Sequence, residues 1–205
     1  MRRIMNMLLV SSLAATSLVL SGCATTRAAP PKNDWGNRTY SEAKKKEIID
    51  AAKEVLRLID PSKTKIVDTS DGFDAQRAKV SYYVVESGLD LFKYKFTAIE
   101  SENSVKTTFD IDETISRASF KTLGMPVTDT GKPENRYVYD LFYSRLDYLL
   151  GKNEVWYTCK DAVNKIPSGI EKSESIEKIG LSSFCGRFVE DVIPSGKLAT
   201  GNVFK

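Results

Sequence analysis

None of the chain's 205 residues is histidine. That removes the usual acid–base group at neutral pH and the commonest metal ligand. Ser-His-Asp and Cys-His devices are excluded, as are histidine-containing zinc sites. Catalysis would have to run on paired carboxylates or on a Ser-Lys pair. Cysteine is nearly as scarce, with three residues at 23, 159 and 185. None lies in the C-x-x-C spacing that redox pairs use. A strong charge of one sign is missing too, since 30 Lys+Arg stand against 27 Asp+Glu. Such a balance exerts no general pull on nucleic acid or anionic lipid. Internal repeats and low-complexity tracts are absent.

One long apolar run exists, and it is the first thing in the chain. Arg2 and Arg3 are followed by IMNMLLVSSLAATSLVL, residues 4 to 20, with no charge. A charged start and an apolar stretch are the n- and h-regions of an export signal. The alternative is a spanning anchor. Asn6 and the hydroxyls of Ser11, Ser12, Thr16, Ser17 and Ser21 dilute the run, and no stop-transfer charges follow at once.

The run closes on Leu20-Ser21-Gly22-Cys23. An apolar residue, two small ones and then cysteine resemble the lipobox of bacterial lipoproteins. The resemblance covers the signal only. It implies a diacylglyceryl group on the Cys23 thiol, cleavage between Gly22 and Cys23, and often a further acyl chain such as palmitate on the new amino group. Each buried methylene contributes about 0.8 kcal/mol, so two or more chains hold a protein on a bilayer where one binds marginally. Ala24 in place of Asp implies outer-membrane sorting in a Gram-negative cell. Removing residues 1–22 takes Arg2 and Arg3 and no acid, so the mature chain carries 28 basic against 27 acidic side chains.

Residues 23–38 then read as a lipidated flexible tether, small and polar around Pro30-Pro31. Residues 39–205 are the length of one ordinary domain. "TYSEAKKKEIIDAAKEVLRLIDP" predicts an amphipathic helix. Thr39 and Glu42 suit a capping box, with Ser41 as a rival cap, and Ile48, Ala52, Val55, Leu56 and Ile59 form one stripe. Asp60-Pro61 ends it. The interleaved acids and lysines on its other side fit a solvated face better than a membrane-lying one.

From Lys65 the period becomes twofold. "KIVDT" is a short strand. Ala78, Val80, Tyr82 and Val84 share one face of a second. Phe92, Tyr94, Phe96 and Ala98 alternate with Lys93, Lys95 and Thr97, and Val105, Thr107, Phe109 and Ile111 with Lys106, Thr108, Asp110 and Asp112. Alternation of this kind suits a sheet with one wet face. Short connectors at Ser87-Gly88 and Ser101 to Ser104 require antiparallel hairpins. A polar stretch with Gly124, Pro126, Gly131 and Pro133 precedes a second helix, "PENRYVYDLFYSRLDYLLGK". Its apolar side carries Val138, Leu141, Phe142, Arg145 and Leu149, between Pro133 as start and Gly151 as end. One or two short helices follow, broken at Pro167-Ser168-Gly169. The expected fold is α+β: an antiparallel meander of three to four strands flanked by an N-terminal amphipathic helix and C-terminal helices.

Four groups of residues invite a chemical reading. Cys159 and Cys185 predict a disulfide in an oxidising compartment, closing a loop worth about 3.5 kcal/mol on the chain-entropy model. Asp68, Asp71, Gly72 and Asp74 suggest calcium, but position three of an EF-hand loop would be Ser70 and position twelve Lys79, so a turn between strands is the better reading. Asp110, Asp112 and Glu113 put two carboxylates on one strand face, which either share a proton or metal or simply face lysines across a wet sheet. Eight tyrosines (Tyr82, Tyr83, Tyr94, Tyr137, Tyr139, Tyr143, Tyr148 and Tyr157) either line a groove or sit at the core's edge. The sequence therefore names no catalytic, cofactor-binding or metal residue. It predicts a lipid-anchored cell-envelope protein facing the periplasm, non-enzymatic, held to the membrane through Cys23. Such a protein would bind an envelope protein or a small ligand, not nucleic acid. A small hydrolase working through Asp110 and Asp112 is the alternative.

Overall fold

The computed structural model describes residues 24–26, 34–60, 62–83, 86–133, 136–166, 181–185, 191, 193 and 194. Twofold alternation builds its centre. Strands β3 (Thr64–Thr69), β4 (Gly72–Tyr83), β5 (Glu86–Ser101) and β6 (Ser104–Ser119) form a continuous antiparallel meander. Beyond β6 lie two short strands, β2 (Asn37–Ser41) beside its first half and β7 (Val127–Gly131) beside its second. Strand β1 (Ala24–Thr26) adds to β7 in parallel. The protein is thus α+β, with six strands in the antiparallel sheet rather than three to four. The extra ones escaped notice because each is short and its apolar content slight. In β2 only Tyr40 is buried, and β7 buries no residue at all.

Two helices cover one face of this sheet. Helix α1 (Lys45–Arg57) buries Ile48, Ala51, Ala52, Val55 and Leu56, and α2 (Tyr137–Leu149) buries Val138, Leu141, Phe142, Leu146 and Leu149. They meet Phe73, Phe92, Tyr94, Phe96, Phe109 and Ile111 from the strands, and the Phe109 and Phe142 rings stack with centroids 3.7 Å apart. Fully burying a Leu, Ile or Phe side chain contributes about 1.5–3 kcal/mol, so this aromatic-aliphatic layer is the main source of stability.

Several boundaries differ from the sequence reading for identifiable reasons. Thr39 and Glu42 form no capping box, because Thr39–Ser41 pairs with Lys106–Ser104, and the helix begins after Lys44 with no side-chain cap. Glu42 turns the chain from strand to helix at φ 62°. Ser87 and Gly88 lie within β5, opposite Tyr82 and Ser81, not in a connector. Residues 34–38, counted with the tether on composition, form a 3-10 turn and the start of β2. Arg38 is bonded to Asp147, and the Tyr143 hydroxyl donates to the Gly36 carbonyl at 2.6 Å. Helix α2 starts at Tyr137 rather than near Pro133, and Gly151 ends it at φ 72° as expected.

After α2 comes α3 (Cys159–Asn164), opened by Thr158 and Asp161 in a reciprocal capping box. A strap, residues 181–185, then lies over the sheet. The Arg77 guanidinium donates to the Ser182 and Ser183 carbonyls at 2.9 and 2.7 Å, and the Tyr94 hydroxyl donates to Ser183 at 2.6 Å. Burial pushes the Tyr94 hydroxyl up to about 12. Arg145 is stacked on Trp156 and paired with Asp191, which also accepts from the Cys159 backbone N–H at 2.7 Å. Burial lowers the Arg145 guanidinium from its ordinary value, opposed by Asp191. The break at Pro167-Ser168-Gly169 lies outside the described residues.

Candidate functional site

Lengths decide where a site has room to form. Strands β5 and β6 have 16 residues each, about 50 Å at 3.3 Å per residue. Helices α1 and α2 have 13 residues each, about 20 Å at 1.5 Å per residue. The helices therefore cover under half the sheet's length, and the distal part of the β4–β5–β6 ribbon projects past them.

The register shows what happens to the apolar face along that ribbon. Near the helices, cross-strand rows read Phe73–Phe96–Phe109, Ala75–Tyr94–Ile111 and Arg77–Phe92–Glu113, all on the buried side. One step further the same side turns polar, with Lys79–Asp90–Ile115 and then Ser81–Gly88–Arg117. Asp90 is only 1% exposed and receives the Arg117 guanidinium, which Glu86 approaches at 3.9 Å. Gly88 is what lets Arg117 lie there, since a Cβ on it would stand 2.7 Å from the Arg117 Nη1. Meanwhile the opposite side becomes apolar, through Val80–Leu89–Ser116 and Tyr82–Ser87–Ala118. The apolar face has changed sides. The sequence reading grouped Ala78, Val80 and Tyr82 correctly, but they sit opposite the helix-covered face, and Val80 and Tyr82 are exposed.

At the end of β6 a tight turn adds to that exposed face. Phe120–Thr122 forms a 3-10 turn, and Thr122 Oγ1 both accepts from the Ser119 N–H and donates to the Ser119 carbonyl. The Leu123, Gly124 and Met125 amides bond back to Phe120, Ser119 and Thr122. This turn holds Phe120 at 77% and Leu123 at 86% exposure, beside Tyr82 at 80%. Together they border an open groove of about 580 Å³ lined by Tyr82, Glu86, Ser87, Ala118, Ser119, Phe120, Leu123 and Gly124. Among the described residues its one charged lining residue is Glu86, turned toward Arg117. Such a groove can make apolar contacts and a few hydroxyl hydrogen bonds. Phe120, Leu123 and Met125 went unnoticed in a stretch read as polar. The available signal was the parity switch, from odd positions (73, 75) to even (80, 82) in β4 and from even (92 to 98) to odd (89, 91) in β5.

The residues singled out from sequence are placed as follows. Cys23 lies outside the described residues. The Cys159 and Cys185 sulfurs are 2.11 Å apart, disulfide distance, with Cα atoms 5.7 Å apart, and they tie the strap to α3. Asp110 and Asp112 face away from the helices, opposite Lys95 and Lys93, and Asp110 accepts from Lys132 at 2.8 Å. That hydrogen bond raises the Lys132 ammonium above its ordinary value. Glu113 points to the other face and is buried. Asp68 and Asp71 flank the β3–β4 turn and pair with Lys53 and Lys45, each at 2.7 Å. Among the described residues no group of three acids or cysteines could hold a metal ion. Tyr94, Tyr139 and Tyr143 are buried, Tyr137, Tyr148 and Tyr157 are half-buried, and Tyr82 lines the groove. Burial also raises the Tyr143 hydroxyl to about 12. No helix of the described residues is long and apolar enough to cross a membrane. No protein-family model, no curated protein and no solved structure matches this chain.

Proposed function

We propose that the protein is an exported lipoprotein, anchored in the cell envelope through acyl chains on Cys23, whose domain works by binding other envelope components rather than by catalysis. The observation that carries this reading is the order Arg2-Arg3, apolar run, Leu20-Ser21-Gly22-Cys23, with the lipid acceptor one residue before Ala24. Ala24 after the cysteine supports the outer membrane, periplasmic side, in a Gram-negative cell. Two features of the domain support binding over hydrolysis. Asp110 and Asp112 are matched to Lys95, Lys132 and Lys93 instead of converging on each other in a cleft. The groove at the end of the ribbon presents apolar side chains around one carboxylate.

Metabolic labelling with a palmitate analogue tests the anchor. The parent protein takes up label and fractionates with membranes. Cys23→Ser accumulates as unlabelled precursor, since a hydroxyl does not replace the thiol as acyl acceptor. Equal labelling of both proteins would end the lipoprotein reading.

A further inference from the structure

The start of the described chain lies at the ribbon's exposed end. Ala24 pairs with Thr128 and so sits in the row Val80–Leu89–Ser116–Thr128. That row is two residues, about 7 Å along the strands, from the row of Tyr82 and Ala118. Laterally Ala24 is two strands from β6, about 10 Å. Cys23 is its covalent neighbour, and consecutive Cα atoms are about 3.8 Å apart. Acyl chains on Cys23 would therefore leave the protein beside Phe120, Leu123, Met125 and Tyr82.

We infer that this apolar tip is a membrane-contact surface, inserted into the interfacial layer of the bilayer that holds the lipid anchor. The inference rests on the lipoprotein reading, since the acyl chains on Cys23 are what deliver the tip to the bilayer. Phe120, Leu123 and Met125 supply apolar surface of the kind that partitions into the acyl boundary, and Tyr82 combines an apolar ring with a polar end. Lys121 stands between Phe120 and Thr122, where an ammonium reaches phosphate while its stem stays apolar. Leu123 holds φ 52°, a left-handed conformation that disfavours any residue with a Cβ, and it gains nothing from the core. Strain spent on an exposed leucine points to a contact outside the folded chain. Two attachments then act together: the acyl chains fix the protein to the membrane, and the tip sets the ribbon's long axis steeply to the bilayer, with the helix-covered end outward.

The test places tryptophan at the tip of the full, exported chain: Phe120→Trp and Tyr82→Trp, with Ile99→Trp at the other end of β5 as control. Each purified protein is reconstituted in vesicles of phosphatidylethanolamine and phosphatidylglycerol, with or without acyl chains brominated near the head group. The parent's Trp35 and Trp156 emission is subtracted, and palmitate label is measured on the same samples. At an insertion depth of roughly 5–10 Å the added emission at positions 120 and 82 falls by about half or more in brominated vesicles. The control at position 99 keeps its emission. Labelled protein without quenching at either tip position overturns the inference and leaves the lipoprotein reading intact. Unlabelled protein overturns both. Blue-shifted but unquenched emission assigns the tip to a second copy of the chain and overturns the membrane contact. Quenching at all three positions means a ribbon lying flat and overturns the tip-on orientation.

Discussion

The Ser183 carbonyl receives two donors at once, and that arrangement predicts a coupling of definite sign. Arg77 donates to it at 2.7 Å and Tyr94 at 2.6 Å, and Arg77 also serves Ser182 at 2.9 Å. Both side chains are buried. In Tyr94→Phe the carbonyl keeps Arg77, so the loss is one neutral hydrogen bond, about 1 kcal/mol. In Arg77→Met it keeps Tyr94, while Ser182 loses its donor. Charge-assisted bonds contribute about 1.5–3 kcal/mol each, partly offset by releasing a buried guanidinium whose Nε has no acceptor among the described residues. A net cost of about 2 kcal/mol follows for that single change. The methionine keeps an unbranched stem over the Phe92 ring, which Arg77 overlies at 5.0 Å. In the double variant the Ser183 carbonyl loses both of these buried donors together, a loss that neither single variant incurs and that costs about 1–3 kcal/mol more. The double variant should therefore exceed the sum of the singles by at least about 1 kcal/mol, well above the additivity error of about 0.3–0.5 kcal/mol. Urea unfolding of the four proteins, followed by circular dichroism, measures the cycle. Any effect of Arg77 on Glu113, across Phe92 in the same row, cancels in it. Strict additivity would refute the reasoning, because it would mean that Arg77 and Tyr94 do not share the Ser183 carbonyl as described.

Three further outcomes follow from the same geometry. Cys159→Ser and Cys185→Ser should each cost about 3.5 kcal/mol by the loop-entropy relation for a separation of 26 residues. The double variant should be little worse than either single one, and insensitive to dithiothreitol. Tyr94 is buried with its hydroxyl raised to about 12, so the neutral form favours the fold. Its contribution is full below the unfolded value near 10 and is lost as pH rises toward about 12, at up to about 1.4 kcal/mol per pH unit. Urea midpoints measured across that window should therefore fall less steeply in Tyr94→Phe than in the parent. Gly72→Ala would bring a Cβ to 1.9 Å from the Phe96 carbonyl oxygen, so β4 must shift off β5. Thermal unfolding should show a loss of more than about 2 kcal/mol, against a few tenths for an unstrained surface exchange.

What could be read from the residues depended on how many buried side chains an element contributes. Where helices cover them, β5 alternates four apolar residues with polar ones and β6 three, and α1 carries a full stripe; both were legible. Strand β2 buries Tyr40 alone, so a capping-box pattern over the same residues was the stronger local signal, and tertiary pairing overrode it. The paired cysteines were legible from their count and from the oxidising compartment that the export signal predicts. The arginines that latch the C-terminal segment were half legible. Arg145 falls in the apolar stripe of α2, and Arg77 follows Phe73 and Ala75 at the core's parity, yet neither acceptor could be named. Arg77 bonds to backbone carbonyls more than a hundred residues away, and Arg145 to Asp191, 46 residues on. Side-chain identity cannot reveal a carbonyl acceptor.

The ribbon's distal end was hidden for a different reason, and that reason bears on function. A twofold pattern predicts one apolar face per strand, so a strand whose apolar residues change parity reads as noise. Here the parity changes in β4 and in β5 at matching rows, which noise would not arrange. Folding alone does not require it. Past the helices this side of the ribbon meets solvent, and threonine or lysine at positions 80, 82, 89, 120 and 123 would keep strand and turn geometry without exposing apolar surface. Leu123 in particular sits where glycine or asparagine would remove about 1 kcal/mol of strain. The polar side of the same rows is built with equal care, with Asp90 and Arg117 paired across the space that Gly88 leaves open. A ribbon that satisfies its charges on one side and presents Val80, Tyr82, Leu89, Phe120 and Leu123 on the other is organised for contact at that end. Ala24, the neighbour of the proposed lipid acceptor Cys23, pairs at that end too.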